Sequence, residues 1–423
     1  MSGLNPNIIM NLIPNGWEVI ALKYVVDYNK DTLSEDTAPC FEFDYVDIGS
    51  VTYGKGIEQF QRMVFREAPS RARRKVKTND VILSTVRTYL KAVASIPERD
   101  VQVVVSTGFL AMSAKKRVVP RFLFYAVQSD YFVDTIEANS YGISYPAINS
   151  STAVSCKILL PPLEEQQAIA SYLDDRCAKL DEIITEAEKS IEEYKEYRES
   201  VISNATTRGI RNNTMKESGI PWIPLIPENW YPISAKALFT QRKERAVSGE
   251  RQLTASQNLG IIYQDDYMRI QGTRLMVVQK DFDILKHVEP DDFVISMRSF
   301  QGGLEYSYLR GCISSAYVML IPNHEYVFSE YYKWLFKSDK YINALQSTSD
   351  LIRDGQALRY ANFVKLRLFT VPIEEQQEIA EYLNEEIPRI DALISEKQSL
   401  IEDLKAYKKS LIYEVVTGKR RVV

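Results

Sequence analysis

"PLEEQQAIASYL" begins at Pro162 and "PIEEQQEIAEYL" begins at Pro372. Segments this polar are no core strands, yet the chain carries nearly the same one twice. Proline suits the first turn of a helix, where its missing N–H is not needed, and paired glutamates favour the positive end of the helix dipole. The quartets Glu164, Glu165, Gln166, Gln167 and Glu374, Glu375, Gln376, Gln377 are therefore read as helix starts.

Downstream of each quartet, apolar positions step by alternating threes and fours. The first copy places Leu173, Cys177, Leu180, Ile184, Ala187, Ile191, Tyr194, Arg198 and Val201 on this grid. The second places Leu383, Ile387, Ile390, Ile394, Lys397, Ile401, Leu404, Lys408 and Leu411 there. Such spacing over four heptads is a coiled-coil seam, and the natural partner of each helix is its own copy. A 40-residue helix would be a rod of about 60 Å. Pro388 has no counterpart in the first copy and is expected to kink or restart the second helix.

The duplication extends outward. Leu163–Thr207 and Ile373–Thr417 align without a gap at 18 identities in 45 positions. Pro14-Asn15-Gly16-Trp17 answers Pro227-Glu228-Asn229-Trp230, and Asp80-Val81-Ile82-Leu83-Ser84 answers Asp292-Phe293-Val294-Ile295-Ser296. Ser129-Asp130 answers Ser338-Asp339 in the same way. The chain is one unit twice, each a globular part followed by a helical part. The segments are 1–161, 162–208, 209–371 and 372–423. In the globular parts, Val101–Ser106 and Tyr317–Ile321 read as strands, and Phe122–Ala138 and Ser329–Gln346 as amphipathic helices. The class is mixed α/β (α+β).

At 45% hydrophobic and 26% charged, the 423 residues read as a soluble protein. No apolar run suits a membrane span, and no secretory signal pattern is seen, so a cytoplasmic location is expected. Four scattered cysteines without CxxC spacing fit free thiols better than disulfides or zinc. The net charge of −4 hides a segregation. Roughly +2 falls on 1–160, −6 on 161–210, +3 on 211–369 and −3 on 370–423.

Chemistry for catalysis is missing from the pattern. His287 and His324 have no second ligand at a metal spacing, and no phosphate-binding glycine loop is present. No catalytic residue, metal site or cofactor is expected in the chain itself. Binding is what remains. Arg62, Arg66, Arg71, Arg73, Arg74, Lys75 and Lys77 cluster with only Glu67 among them, followed by Arg87 and Tyr89. A charge run is usually a solvated face, but this one is cationic in a chain rich in acid and suits contact with phosphates. The second copy offers Arg269, Arg274, Arg298 and Gln301 at wider spacing.

In the order and double occurrence of "IPNGWEVIALK" and "IPENWYPISAK", "NDVILSTVR" and "DDFVISMRS", and the two "EEQQ" segments, the chain resembles the specificity subunit of type I restriction–modification systems. The resemblance implies two target-recognition domains in pseudo-twofold arrangement, each reading half of a bipartite, asymmetric double-stranded DNA site. Two long antiparallel helices would separate them, and the quartets would be candidate docking positions. The subunit would be non-catalytic. It would dock two methyltransferase subunits for adenine-N6 methylation and restriction/translocase subunits for ATP-dependent cleavage. S-adenosylmethionine, ATP and magnesium would be bound by those partners. The alternatives are the specificity subunit of a related type II system, or a coiled-coil scaffold whose lobes bind proteins.

Overall fold

The computed structural model describes residues 13–275, 284–348 and 359–422. They form two compact units, one of residues through Glu188 together with those from Ser399 onward, the other of Lys189–Gln398. The long helices, Leu163–Arg208 and Ile373–Val416, each contribute one part to each unit.

Both units are built on one frame. The strand after the tryptophan pairs antiparallel with the strand that precedes the long helix. In the first unit this joins Glu18–Ala21 to Lys157–Leu160, and in the second Tyr231–Ser234 to Arg367–Thr370. The beginning and end of each globular part are thus clasped together. A four-stranded antiparallel sheet follows in the same order in both. It runs Val26–Tyr28, Phe109–Ala114, Val81–Ser84, Val93–Ser95 in the first unit, and Phe239–Arg242, Val318–Pro322, Phe293–Ile295, Glu305–Tyr306 in the second. The β-branched and aromatic strands of the repeated motif, Val81–Ser84 and Phe293–Ile295, are interior strands whose residues are buried throughout.

The expected helices Phe122–Ala138 and Ser329–Gln346 each prove to be two, Pro120–Gln128 with Asp130–Ala138, and Ser329–Leu335 with Asp339–Gln346. Ser129 and Ser338 take extended backbone angles between them, and each hydroxyl donates to the carbonyl three residues back at 2.7 Å. The repeated Ser-Asp is therefore a helix break, with the aspartate in the first turn of the next helix, where its charge is favoured.

Outside the frame the units differ. The first adds a four-stranded sheet ordered Gln61–Val64, Glu42–Val46, Val103–Ser106, Ala72–Val76, with one parallel pair. Among its described residues, the second has two-stranded pairs instead, Leu253–Ser256 with Gly260–Tyr263 and Lys286–Val288 with Gly311–Ile313.

Within the first unit the helix parts run antiparallel. Asp181 meets Lys408 at 2.6 Å and Glu188 meets Lys405 at 3.1 Å. Leu173, Cys177 and Leu180 share a core with Leu411, Ile412 and Val415. Within the second, Arg198 meets Asp391 at 2.7 Å, and Ile202 and Ala205 share a core with Leu383, Ile387 and Ile390. Each buried Leu or Ile contributes about 1.5–3 kcal/mol, so the seam outweighs the modest exposed ion pairs beside it. Pro388 neither ends nor restarts its helix, which continues through it. Its ring is exposed, and so is Asn384, whose carbonyl loses the usual helix donor. Among the described residues no helix is long and apolar enough to cross a membrane.

Candidate nucleic-acid interface

The repeated glutamate–glutamine quartets do begin the helices, but their inner residues are committed inside each unit. Trp17 donates its indole N–H to Glu165 at 2.9 Å, and Trp230 donates to Glu375 at 3.1 Å. Gln166 accepts from the Val119 N–H at 2.8 Å and donates to the carbonyls of Arg117 and Pro161. Gln376 repeats this with the Phe328 N–H at 2.7 Å and the carbonyls of Tyr326 and Val371. Gln166, Glu375 and Gln376 are buried, so the expectation that they face a partner subunit is corrected, while Glu164, Gln167, Glu374 and Gln377 stay exposed.

The second repeated motif builds a turn and a strand. Asn79 and Asp291 adopt left-handed backbone angles, φ +69° and +78°. The next residue closes the turn, as Asp80 accepts the Lys77 N–H at 2.8 Å and Asp292 the Glu289 N–H at 2.9 Å. Burial pushes both carboxyls above their ordinary range, in Asp292 despite the two-pronged contact of Arg242 at 2.7 and 2.9 Å. These acids are structural. At its far end the strand delivers the exposed Arg87 in one unit and the exposed Arg298 in the other. Arg298 precedes the short helix Ser299–Gly302, which carries the exposed Gln301 and ends at Gly303.

The cationic run of the first unit does not form one surface. Arg62 lies on the strand at one edge of the added sheet, while Arg73, Arg74 and Lys75 lie on the strand at the other. Arg62 is paired with the buried Asp44 at 2.6 Å, which also receives Arg99. Arg74 pairs in register with Val105 on the core side, and burial holds its guanidinium below its ordinary pKa. Arg73 stacks over Phe65 at 5.1 Å, and Lys75 is half-buried beside it. Arg66, Arg71 and Lys77 are exposed, with Glu67 3.4 Å from Arg66 and Asp31 3.7 Å from Lys77. In the second unit Arg269 is exposed but paired with Asp266 at 2.7 Å, and Arg274 is exposed.

The segments that carry Arg71 and Arg87 are linked through the backbone of Thr107 and Gly108. The Thr107 N–H donates to the Arg71 carbonyl at 2.8 Å, and the Thr85 N–H donates to the neighbouring Gly108 carbonyl at 2.8 Å. From Thr85 the run continues to Ile148, whose N–H donates to the Thr85 carbonyl at 2.8 Å, and Val86 bridges to Ala147. A Cβ on Gly108 would come within 2.7 Å of the terminal methyl of Ile48 and 3.2 Å of Val86, so the strands pack closely here. The exposed Tyr89 lies in the turn after Arg87. The run reaches a loop, residues 139–147, that the sequence reading passed over. Its signal was three large side chains, Tyr141, Ile143 and Tyr145, in a glycine- and serine-containing connection.

The remaining chemistry is structural. His287 lies between Glu250 at 2.6 Å and Glu289 at 2.8 Å, and His324 pairs with Asp291 at 3.0 Å. All four cysteines are free thiols. Among the described residues no cluster suited to a metal ion is found.

Residues 14–193 match the family model described as the type I restriction modification DNA specificity domain. A chain of Methanocaldococcus jannaschii assigned as the specificity subunit of the type I restriction enzyme MjaX is 25% identical over 324 residues, 73% of this chain and 70% of that one. The fold is shared with a chain from a structure of the complex assembly and conformational transition of the type I R-M system, at a TM-score of 0.74, 21% identity and coverage of 96% of this chain and 99% of that one. It is shared also with the HsdS subunit from Thermoanaerobacter tengcongensis, at a TM-score of 0.54, 20% identity and coverage of 96% and 98%. With its clasped, twice-built frame and these matches, the chain carries the type I restriction modification DNA specificity domain over residues 14–193 and is similar over most of its length to type I restriction–modification specificity subunits.

Proposed function

We propose that this chain is the DNA-reading subunit of a type I restriction–modification complex, each unit recognising one half of a bipartite, asymmetric site. The observation that carries the reading is the contrast between its two levels of repetition. Clasp, four-stranded sheet, helix pair and tryptophan–glutamate contact are the same in both units, whereas the added strands and the cations differ. Two readers of different half-sequences on one frame have this form. In the first unit the contacts to DNA are assigned to Arg71, Arg87, Tyr89 and, more peripherally, Arg66 and Lys77. In the second they are assigned to Arg298, Gln301 and Arg274.

Catalysis belongs to partners in this reading. Two methyltransferase subunits would bring S-adenosylmethionine, and restriction subunits would bring ATP and magnesium, with docking on exposed helix residues such as Glu164, Gln167, Glu374 and Gln377. The test is to combine the full chain with the methyltransferase subunits of its own system and map methylated adenines on genomic DNA. Methylation at one interrupted, asymmetric sequence, with affinity falling steeply as salt rises, is expected. Salt-insensitive assembly without DNA binding would favour the protein scaffold instead.

A further inference from the structure

In the first unit, loop 139–147 holds Tyr141, Ile143 and Tyr145 at 79%, 102% and 68% exposure. Singly exposed large side chains are ordinary, but three gathered on one short loop make a patch of the kind that marks an interaction site. Here the backbone does the holding. Tyr141 and Ala147 exchange both backbone hydrogen bonds at 2.9 Å, which closes the loop, and the Thr88 N–H reaches the Pro146 carbonyl at 3.4 Å. Gly142, at φ +111°, provides the turn at the tip, where a side chain would come within 3.2 Å of the Tyr145 carbonyl.

The facing turn is also under constraint. Arg87 and Lys91 bracket it at φ +51° and +49°, a conformation costly for residues other than glycine and found preferentially at functional positions. Between them Tyr89 is 49% exposed. Side-chain contacts also hold the turn, with the Arg87 guanidinium over the Tyr145 ring at 5.2 Å and Lys91 on Asp134 at 2.6 Å and Glu137 at 4.0 Å. Arg71 and Arg87 form no ion pair among the described residues, unlike Arg62, Lys77, Lys91 and Arg99 nearby in sequence. A projecting apolar tip with the unneutralised Arg87 at its base is complementary to a DNA groove: apolar side chains meet thymine methyls or wedge between base steps, while the arginine takes a flanking phosphate.

We propose that the tip of loop 139–147, Ile143 flanked by Tyr141 and Tyr145, enters the DNA groove and is a specificity determinant for the half-site read by the first unit. The proposal rests on the DNA-reading function above. Its test uses the full chain assembled with its methyltransferase subunits, comparing wild type with Ile143→Ser and with the Tyr141→Ala/Tyr145→Ala double variant. Binding is measured on duplexes carrying the mapped site and every single-base change in each half. The substituted side chains are exposed, so thermal unfolding should stay close to that of wild type. Discrimination at one or two base pairs of one half-site should fall about tenfold or more, with the other half-site read as before. Unchanged discrimination would overturn the proposal, as would an affinity loss uniform over all sequences. Loss of methyltransferase association with DNA binding retained would instead assign the loop to a protein partner. A wild-type complex that binds no DNA would overturn the underlying function as well.

Discussion

Trp230 and Glu375, 145 positions apart in the chain, are joined by an indole N–H donated at 3.1 Å. The tryptophan is fully buried and stacks on Phe369 at 5.1 Å. The same carboxylate oxygen accepts from Asn229 at 2.9 Å. Trp17 and Glu165 repeat the bond with less burial. The first residues of each recognition frame are thus anchored to the first turn of a long helix.

Removing the acceptor should therefore weaken the units unequally. Glu375→Ala strands the buried Trp230 indole N–H, and is expected to cost about 2–3 kcal/mol. Glu165→Ala should cost about 1 kcal/mol, since solvent reaches that site. Denaturant titration of the two variants checks the order, which equal losses would contradict. Glu375→Gln keeps an acceptor and should recover part of the loss.

Gly303 supports a second expectation. At φ +75°, a side chain there would stand 2.0 Å from the Phe336 carbonyl oxygen, a backbone atom with no freedom to yield. Gly303→Ala should destabilise by about 3 kcal/mol and displace the Arg298–Gln301 turn beside it. Gly249→Ala, also at positive φ but with open space around it, should cost about 1 kcal/mol from backbone strain alone. Thermal unfolding of the two variants separates steric overlap from strain.

Asp44 sets an acid limit for the first unit. Burial opposes its ionisation, but hydrogen bonds from Arg99 and Arg62 outweigh burial and hold the carboxyl below its ordinary value of 3.8. A carboxyl depressed on folding contributes stability that is present above its unfolded pKa and lost as pH falls through the folded one. The loss should thus be confined to pH below about 4. Asp44→Asn should lower stability at pH 7 by about 3 kcal/mol and remove that part of the acid dependence. Denaturation midpoints at pH 3, 4 and 7 test this, and an unchanged acid slope in the variant would contradict it.

The helices were legible because their evidence is local: three-and-four spacing, a proline and two glutamates suffice to place Leu163 and Ile373. The reasons for the quartets were not legible, since Trp17 meets Glu165 only once the chain has folded back across 148 positions. Charge proximity in sequence also misled. Arg62 and Arg74 are twelve residues apart, yet strand order puts them on opposite edges of a sheet. Pro388 appeared disruptive because the sequence did not reveal that its face of the helix is exposed. Loop 139–147 was overlooked because hydrophobic residues in a connection carry no periodicity to mark them.

The divided fate of those cations gives the last expectation. Arg71 and Arg87 are exposed and form no ion pair among the described residues, whereas Arg62 already neutralises Asp44. If salt sensitivity comes from phosphate contacts, each of Arg71→Ala and Arg87→Ala should reduce the slope of log affinity against log salt by about one, and the double variant by about two. Arg62→Ala should leave the slope within about half a unit of wild type while lowering stability, because Asp44 then keeps only Arg99. Binding titrations of the assembled complex at four salt concentrations, paired with denaturation of the same variants, check both halves. A slope change confined to Arg62→Ala would move the DNA face to the opposite edge of the added sheet.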